Sequence, residues 1–305
     1  MPIDFHPLGL HDREAIMSAV RNTENRNCDL NFVNLIGWRF LYDTELAAYE
    51  DKLIVRFKAN GHLAYQAPIG AGDWTSALCA MLHDAELQGH PFLMLGVCEN
   101  AIAKLEDAMP GHFFASADRN FTDYIYDRAK LETLAGKKLQ SKRNFANRFE
   151  AANPDWQAAP LMPADIPQCI ELEAKWKTRK TNESVTEAQG YQNERRSILT
   201  VFRHWDELPV SGCVLRAGGK IVAFSYGGPV NADTFDVCVE KADTAYEGAY
   251  AVINREFVRM LPPQYVYINR EEDLGISGLR KAKLSYHPSL LLNKYTVMAK
   301  HPLGN

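Results

Sequence analysis

The sequence has little of what marks secreted, metal-binding or membrane proteins. Its six cysteines form no C-x-x-C pair and its nine histidines show neither H-x-H nor H-x-x-x-H spacing, so neither a disulfide framework nor a metal site is predicted. No stretch approaches the roughly 18 consecutive apolar residues of a membrane span. The N-terminus has no basic segment followed by an apolar run, so no secretory signal is predicted. These absences favour a cytoplasmic protein with reduced thiols and no transmembrane segment.

What the sequence does contain is an ordinary globular composition. The 305 residues are 46% apolar and 24% charged, which is enough apolar material for one or two sizeable cores. The formal net charge of −4 excludes a generally basic surface that would coat nucleic acid, although it leaves room for a local basic patch.

Hydrophobic spacing and turn residues predict the same order of elements in each half of the chain. That order is strand, two helices, three strands, helix, strand, helix, strand, with the last strands at 121–126 and 291–298. Residues 128–150 have apolar residues at helical spacing and are predicted to form a connecting helix or helix pair. We therefore expect an α+β or α/β chain of two tandem units. Its predicted divisions are an N-terminal domain at 1–127, a basic connecting helix at 128–150 and a C-terminal domain at 151–305.

This element order is that of the GNAT-type acyltransferase fold. In that fold the fourth strand splays from the fifth, and the gap admits an activated acyl donor whose phosphates meet the N-terminus of the next helix. The usual fingerprint there, Q/R-x-x-G-x-G/A, is imperfect in the second half. Gly248 and Ala251 fit it, but Ala245 replaces the Gln or Arg, and Glu247 adds an unfavourable negative charge. The corresponding stretch 66–72 of the first half has one residue too many, and its glycines could simply form a turn.

Two clusters of cations could contact a polyanion. The connecting segment carries five cations and no acid within twelve residues, namely Lys137, Lys138, Lys142, Arg143 and Arg148. Such a cluster suits the phosphate backbone of tRNA, and the alternative is a solvated helix face. The second cluster surrounds Trp176 and consists of Lys175, Lys177, Arg179 and Lys180. Trp176, placed among these cations, could stack on a base, and the alternative is that this tryptophan is buried and anchors its helix.

Two sequence blocks resemble a known family. The first joins Asp123–Tyr126, Leu134–Lys138 and Lys142–Asn144, and the second is Asn269–Pro288. Both are similar to the soluble C-terminal catalytic region of bacterial phosphatidylglycerol lysyltransferases and to stand-alone relatives of that region. The resemblance implies two GNAT units joined by a central helix. It also implies transfer of an amino acid from aminoacyl-tRNA to a lipid head group, although this chain carries no membrane-spanning segment that would support the lipid acceptor.

The candidate site residues follow from these blocks. The acids after the penultimate predicted strand could hold a cationic donor amine or act as a base, and their alternative is an ion-pair network with nearby cations. Tyr286 could act as a general acid towards the leaving ribose oxygen and His287 could shuttle a proton, the alternative being a structural histidine. The candidate catalytic residues are therefore Glu271, Glu272, Asp273, Tyr286 and His287. The candidate donor-binding residues are Lys138, Lys142, Arg143, Asn144, Gly248, Ala249, Arg270, Arg280, Lys281 and Lys283.

Three functions are compatible with the sequence. The first is acyl transfer, with an aminoacyl group passing from aminoacyl-tRNA to a lipid or another amine or hydroxyl acceptor. The sequence contains no G-x-S-x-G motif, so direct attack by the acceptor is expected, without a covalent enzyme intermediate. The second is N-acetylation of a small amine with acetyl-CoA as donor, and the third is a non-catalytic binding module. The transferase hypotheses require an open gap between central strands.

Overall fold

The computed structural model describes residues 2–178 and 185–300, and they form two mixed seven-stranded sheets flanked by helices. One buried apolar cluster belongs mainly to the first half of the chain and another mainly to the second. A third contains residues of both halves, for example Ile36 and Val55 with Ile198 and Phe224. The two halves therefore share a continuous core. Within the described residues, no helix is both long and apolar enough to cross a membrane.

The first half has the predicted order of elements with one additional strand, β6, before the last. Its strands are β1 (His6–Pro7), β2 (Glu45–Tyr49), β3 (Lys52–Ala59), β4 (His62–Tyr65), β5 (Leu93–Val97), β6 (Phe113–Ala117) and β7 (Asp123–Asp127). Its helices are α1 (Arg13–Arg21), α2 (Phe32–Tyr42), α3 (Thr75–Leu87) and α4 (Glu99–Ala108). Asn31 caps α2, because its side-chain oxygen accepts a hydrogen bond from the backbone N–H of Val33.

The connecting segment is a helix pair, α5 (Arg128–Thr133) and α6 (Gln140–Ala152). Leu134 and Gly136, both with positive φ, separate the two helices. The second half follows the predicted order. Its strands are β8 (Gln157–Pro160), β9 (Ser211–Ala217), β10 (Lys220–Pro229), β11 (Thr234–Ala242), β12 (Tyr267–Asn269), β13 (Leu290–Leu292) and β14 (Tyr295–Ala299). Its helices are α7 (Ile166–Thr178), α8 (Val185–Arg203), α9 (Ala249–Met260) and α10 (Ser277–Leu284).

The two halves exchange one strand each. The sheet orders are β1-β2-β3-β4-β5-β14-β6 and β13-β7-β12-β11-β10-β9-β8. The strand predicted at 121–126 therefore exists as β7, but it lies in the sheet of the second half, antiparallel to β12 and β13. The strand predicted at 291–298 is two strands, and β14 lies in the sheet of the first half. The domain limits at 127 and 151 remain predictions, and the sheets cross them at these two strands.

The edge strand of the first sheet, next to β14, is β6, which was not predicted from the sequence. Its five residues, Phe113 to Ala117, include three small ones, and the strand begins soon after the turn at Pro110-Gly111. Pairing with β14 supplies the partner that makes this short segment a strand.

Both sheets open between their central parallel strands. Strands β4 and β5 pair at a single position, Tyr65 with Met94. Strands β11 and β12 pair only from Thr234/Tyr267 to Asp236/Asn269, although β11 continues to Ala242. Beyond these pairs the strands separate, and each opening exposes strand ends that can carry functional side chains.

Candidate active site

The segment Asn25–Asn34 lies across both openings. The Asn27 side-chain amide donates to the carbonyl of Gly96 at 2.7 Å, and the Gln66 amide donates to the carbonyl of Asp29 at 3.0 Å. On the other side, the Asn269 amide donates to the carbonyl of Arg26 at 2.7 Å. The segment is thus fixed to the ends of both pairs of central strands, and we call the region around these strand ends the cleft.

The opening of the first half is filled by this segment. A Cβ atom on Gly96 would lie 2.4 Å from Asp29 Oδ2 and 3.3 Å from Asn27 Nδ2, so these side chains pack directly on the end of β5. Gly96 has a φ of +70°, a conformation that suits glycine. Between β11 and β12 the same segment contributes polar side chains, because Asn34 donates to Asp236 of β11 and to Glu271, which follows β12.

A buried ammonium group lies where the exchanged strands meet the cleft. Lys294 lies between β13 and β14, and its Nζ contacts Glu272, Asp123 Oδ1 at 2.9 Å and Asp29 Oδ1 at 3.3 Å. The Lys294 side chain is 3% exposed and that of Asp123 is 0% exposed. Burial alone would lower the pKa of Lys294, but Asp123 and the other carboxylates raise it well above its usual value. Lys294 is therefore charged and holds the acids together.

Cys28 lies against the same acids. Its backbone N–H donates to Asp123 Oδ2 at 3.0 Å, and its Sγ is 3.4 Å from Asp123 Oδ1. Burial, and then the neighbouring carboxylates, raise the pKa of the Cys28 thiol well above its usual value. The thiol is therefore protonated at neutral pH and does not have the thiolate character of a nucleophile.

A second acidic group lies at the opening between β11 and β12. Asn34 Nδ2 donates to Glu271 Oε1 at 2.8 Å and to Asp236 Oδ2 at 3.1 Å, and Asn31 Nδ2 donates to Asp236 Oδ2 at 3.0 Å. Asp236 is fully buried, and its Oδ1 accepts no hydrogen bond from the described residues. Burial, followed by neighbouring acids, raises the pKa of both Asp236 and Glu271 well above the usual values. We call Asp236 and Glu271 the acid pair.

The consecutive residues Glu271 and Glu272 contact different parts of the cleft. Glu271 has a φ of +56°, and its backbone N–H donates to Asn269 Oδ1 at 2.7 Å. This left-handed position turns the chain so that Glu271 contacts Asn34 and Glu272 contacts Lys294. The structure thus brings both predicted glutamates into the cleft.

The other three predicted catalytic residues lie elsewhere. Asp273 is fully buried and accepts two bonds of 2.8 Å from Arg280 and one of 2.5 Å from the Tyr124 hydroxyl. The Arg280 hydrogen bonds hold the pKa of Asp273 well below its usual range, which agrees with the alternative of an ion-pair network. Burial raises the pKa of Tyr286 to about 12, and His287 is exposed in a turn with a φ of +54°.

The predicted donor turn is covered by α6. Gly248 begins α9 with a φ of +88°, and a Cβ atom there would lie 2.1 Å from the carbonyl oxygen of Phe145. Ala249 is buried, and Arg148 pairs with Glu247 at 2.9 Å. The amides that a phosphate would need are therefore packed against another helix, which sequence spacing alone could not reveal.

The cations of α6 and its approach are dispersed. Lys138 and Asn144 are exposed, while Arg143 donates to the carbonyls of Leu134 and Gly136. Lys142 lies over the ring of Tyr286, 4.3 Å from its centroid, and burial lowers its pKa. The side chains from Trp176 to Lys180, which belong to the second predicted cluster, lie outside the described residues.

The predicted cations of the later block mostly hold its loop. Arg270 pairs with Glu240 at 2.8 Å, and Lys283 donates to the carbonyls of Arg270, at 2.6 Å, and Glu272. Burial lowers the pKa of Lys283. Lys281 is exposed. These contacts fix the loop that carries the two glutamates.

Several residues of the cleft were not predicted from the sequence. They are Asn27, Asp29, Asn31, Asn34, Asp236 and Lys294. A signal existed for the asparagines, because five lie between residues 22 and 34, a density more typical of a structured turn than of a helix start alone. Lys294 had only a weak signal, since one lysine between apolar residues is compatible with a strand edge.

Some of these donors lie close enough together to bind a metal ion. The thiol and carboxylate atoms of Cys28, Asp123 and Glu272 lie within 4.8 Å of one another. Those of the acid pair and Cys238 are equally close, as are His6, His11 and Asp12. Lys294 already neutralises the first group, and the raised pKa values favour a bound proton over a metal ion in the second. Proximity alone therefore assigns no metal here.

The raised pKa values lead to a test by stability. A carboxyl whose pKa is raised in the folded state stabilises the protein fully below its unfolded pKa, about 4, and this contribution is lost as pH rises through the folded pKa. We expect D236N to weaken the fall in unfolding free energy as pH rises above about 4. Urea unfolding at several pH values measures this. D107N, at an exposed position on α4, is the control and should keep the wild-type profile; an unchanged D236N profile would contradict the buried titration.

Fold and cleft together define the class of this protein. The arrangement is a tandem GNAT-like acyltransferase fold, with splayed central strands in each unit. The chain belongs to the phosphatidylglycerol lysyltransferase C-terminal family, whose profile matches residues 20–298. Family and fold indicate an acyltransferase similar to the lysyl-phosphatidylglycerol synthases.

Comparison with solved structures supports this placement. A conserved protein of unknown function from Bacteroides thetaiotaomicron is 47% identical, with a TM-score of 0.93 over 98% of this chain and 100% of that one. L-PGS from Bacillus licheniformis is 16% identical, with a TM-score of 0.65 over 95% and 92%. A tandem GNAT protein from the clavulanic acid biosynthesis pathway is 10% identical, with a TM-score of 0.50 over 99% and 100%.

A curated relative matches part of the chain. An uncharacterized protein of Mycoplasmoides gallisepticum is 25% identical over 181 residues, which are 58% of this chain and 56% of that protein. The match thus covers little more than half of either protein.

Proposed function

We propose that the chain transfers an aminoacyl group from aminoacyl-tRNA to a lipid or to another amine or hydroxyl acceptor. The observation that carries this proposal is the acid pair at the opening between β11 and β12, where a GNAT-like fold accepts its acyl donor. Both carboxyls have raised pKa values, and the Asn31 and Asn34 amides orient them. In a pair of neighbouring acids with raised pKa values, one carboxyl can hold a proton while the other is ionised, so the pair offers both an acid and a base.

The proposed reaction is a direct displacement. The acceptor nitrogen or oxygen attacks the carbonyl carbon of the aminoacyl ester, and its proton passes to a carboxylate of the acid pair. The ester C–O bond then breaks, and the leaving ribose oxygen receives a proton from the pair. Both steps require the reactants to be held in line, which the fixed loop and the segment Asn25–Asn34 support.

The cleft is also suited to the charge of the donor. An aminoacyl ester carries a free α-ammonium group, and the acids of the cleft outnumber its buried lysines. Asp29, Glu271 and Glu272 are all partly exposed and could contact such a group. Lys294 limits the excess of negative charge and prevents the carboxylates from repelling one another.

A transfer assay with matched variants tests the proposal. Purified protein, tRNA charged with labelled amino acid, and vesicles of anionic phospholipid or a small amine should yield labelled product. E271Q should lower the rate by about 10²- to 10⁴-fold, as expected for loss of a general base. E14Q, at an exposed position on α1, should leave it unchanged. No product with either acceptor, or an E271Q rate equal to that of E14Q, would contradict the proposal.

Coenzyme A as donor is less well supported. Phosphates of this cofactor would need the start of α9, where α6 packs on Gly248. The opening of the first half is filled by Asn27 and Asp29. We therefore expect no heat in a calorimetric titration with millimolar acetyl-CoA.

A further inference from the structure

A separate cavity lies where the two units pack helix against helix. It has a volume of about 350 Å³ and is lined by the end of α2 and the C-terminal half of α8. Arg39 and Phe40 come from α2, and Arg196, Thr200 and Arg203 come from one face of α8. Clefts between domains are common positions for ligand sites.

Three arginines of this cavity lack an acidic partner among the residues that the structure describes. Arg39 Nη1 donates to the carbonyl of Leu8 at 3.2 Å, and the Arg196 guanidinium lies 4.0 Å from the centre of the Phe40 ring. Arg203 is exposed at the end of α8. Glu207 contacts His204, another lining residue, at 2.8 Å. Among residues 2–178 and 185–300, no acid pairs with the three arginines, so the described lining has an excess of positive charge.

The chemistry of the cavity suits phosphate groups of RNA. Guanidinium groups bind phosphate oxygens in pairs, and arginine stacked on an aromatic ring is presented in a fixed plane. The ring of Phe40 also stacks with that of Trp38 at 6.4 Å, which stiffens the platform. A bilayer would instead require apolar side chains that project beyond the cations, whereas Phe40 lies beneath Arg196.

Helix α2 connects this cavity to the cleft. Its N-terminal turn carries Asn34, which contacts the acid pair, and Arg39 follows five residues later. At 1.5 Å per residue, the two positions are about 8 Å apart along the helix axis. Five residues also turn the helix by about 140°, so the two side chains lie on different sides of α2. A donor as long as a tRNA, with its ester in the cleft, can still place phosphates against the arginines.

We propose that the cavity lined by Arg39, Arg196 and Arg203 binds backbone phosphates of the donor RNA near its acceptor end. This inference rests on the proposed function, because it assigns a second contact surface to the same donor. It places the RNA across the junction of α2 and α8, away from the cations of α6.

Binding of uncharged tRNA at several salt concentrations tests this surface. R196E/R203E should weaken binding at least tenfold near 0.1 M salt and reduce the slope of log affinity against log salt by about 1.5. R196K/R203K keeps the charge and should recover most of the slope. K104E/K220E changes the charge equally at exposed positions of α4 and the β9–β10 turn, and should retain most of the affinity and the wild-type slope.

The outcomes separate this inference from the proposed function. In the transfer assay, R196E/R203E should raise KM for charged tRNA and leave kcat nearly unchanged, because the acid pair is intact. If R196E/R203E binds tRNA as K104E/K220E does while wild-type protein transfers normally, the surface is wrong and the function stands. If R196E/R203E lost binding to anionic vesicles but bound tRNA as the wild-type protein does, the proposed RNA surface would also be wrong. Arginine-dependent tRNA binding without transfer would retain the surface and contradict the function.

Discussion

Replacing Lys294 with methionine is expected to lower the free energy of unfolding by about 3–5 kcal/mol, the range found when one partner of a buried ion pair is removed. Methionine keeps most of the side-chain volume, so the loss would come from charge. Asp123 is fully buried and would lose its contact with Lys294 at 2.9 Å, and Glu272 and Asp29 would lose theirs. Denaturant unfolding at neutral pH measures the change.

A matched exposed pair provides the control for this substitution. Lys58 contacts Asp43 at 3.3 Å, and both side chains are more than half exposed. K58M should therefore change the unfolding free energy by less than about 1 kcal/mol. The double variant D123N/K294M should recover part of the K294M loss, since it removes the unpaired charge as well. Equal effects of K294M and K58M would show that Lys294 does not hold the cleft together.

The Lys294 contacts matter because they join parts of the chain that are far apart in sequence. Asp123 begins β7, Lys294 precedes β14, and Glu272 follows β12. Asp123 and Lys294 thus lie at the starts of β7 and β14, the two strands that the halves exchange. One ammonium group therefore links the strand exchange to the loop that carries the acid pair's glutamate. Loss of this link should affect both stability and the geometry of the cleft.

The order of elements was predictable because its signals are local. Period-2 and period-3.6 spacing and hairpin turns act over a few residues, and the predicted order matches the structure except for the added β6 and the division of the last strand into β13 and β14. The exchange of β7 and β14 was not predictable, because a strand's own sequence shows that it pairs but not with which strand. The same limit explains β6, whose pairing with β14 comes from the far end of the chain.

Part of the candidate site was predictable, because the position of an acid directly after a strand is also a local signal. Acids directly after a predicted strand were expected to reach the gap, and Glu271 and Glu272 do lie there. Asp236 lies within β11, which also carries Glu240, and nothing in the local sequence marked Asp236 as the buried acid. Asn31 and Asn34 have their effect only because α2 packs against the other half of the chain. The covering of Gly248 by α6 is likewise a tertiary contact.

The second large effect is expected for Gly227→Ala. Gly227 lies in β10 at an irregularity between Tyr226 and Gly228, and a Cβ atom there would lie 1.8 Å from the carbonyl oxygen of Asp236. Nothing can relieve that overlap except movement of a strand, because the nearest atoms belong to the backbone of β11. We expect a loss of about 3 kcal/mol or more in unfolding free energy, at or beyond the upper end for overpacked cores.

The same substitution should also disable transfer, because the carbonyl that it displaces belongs to a residue of the acid pair. Gly190→Ala is the matched control: a Cβ atom there meets nothing within 4 Å, and alanine in a helix should stabilise the protein by up to about 1 kcal/mol. Denaturant unfolding and the transfer rate of both variants measure these effects. A G227A protein as stable and active as G190A would mean that the close approach of β10 and β11 does not position Asp236. The acid pair would then have to depend on Asn31 and Asn34 alone, and N34A would become the variant that abolishes transfer.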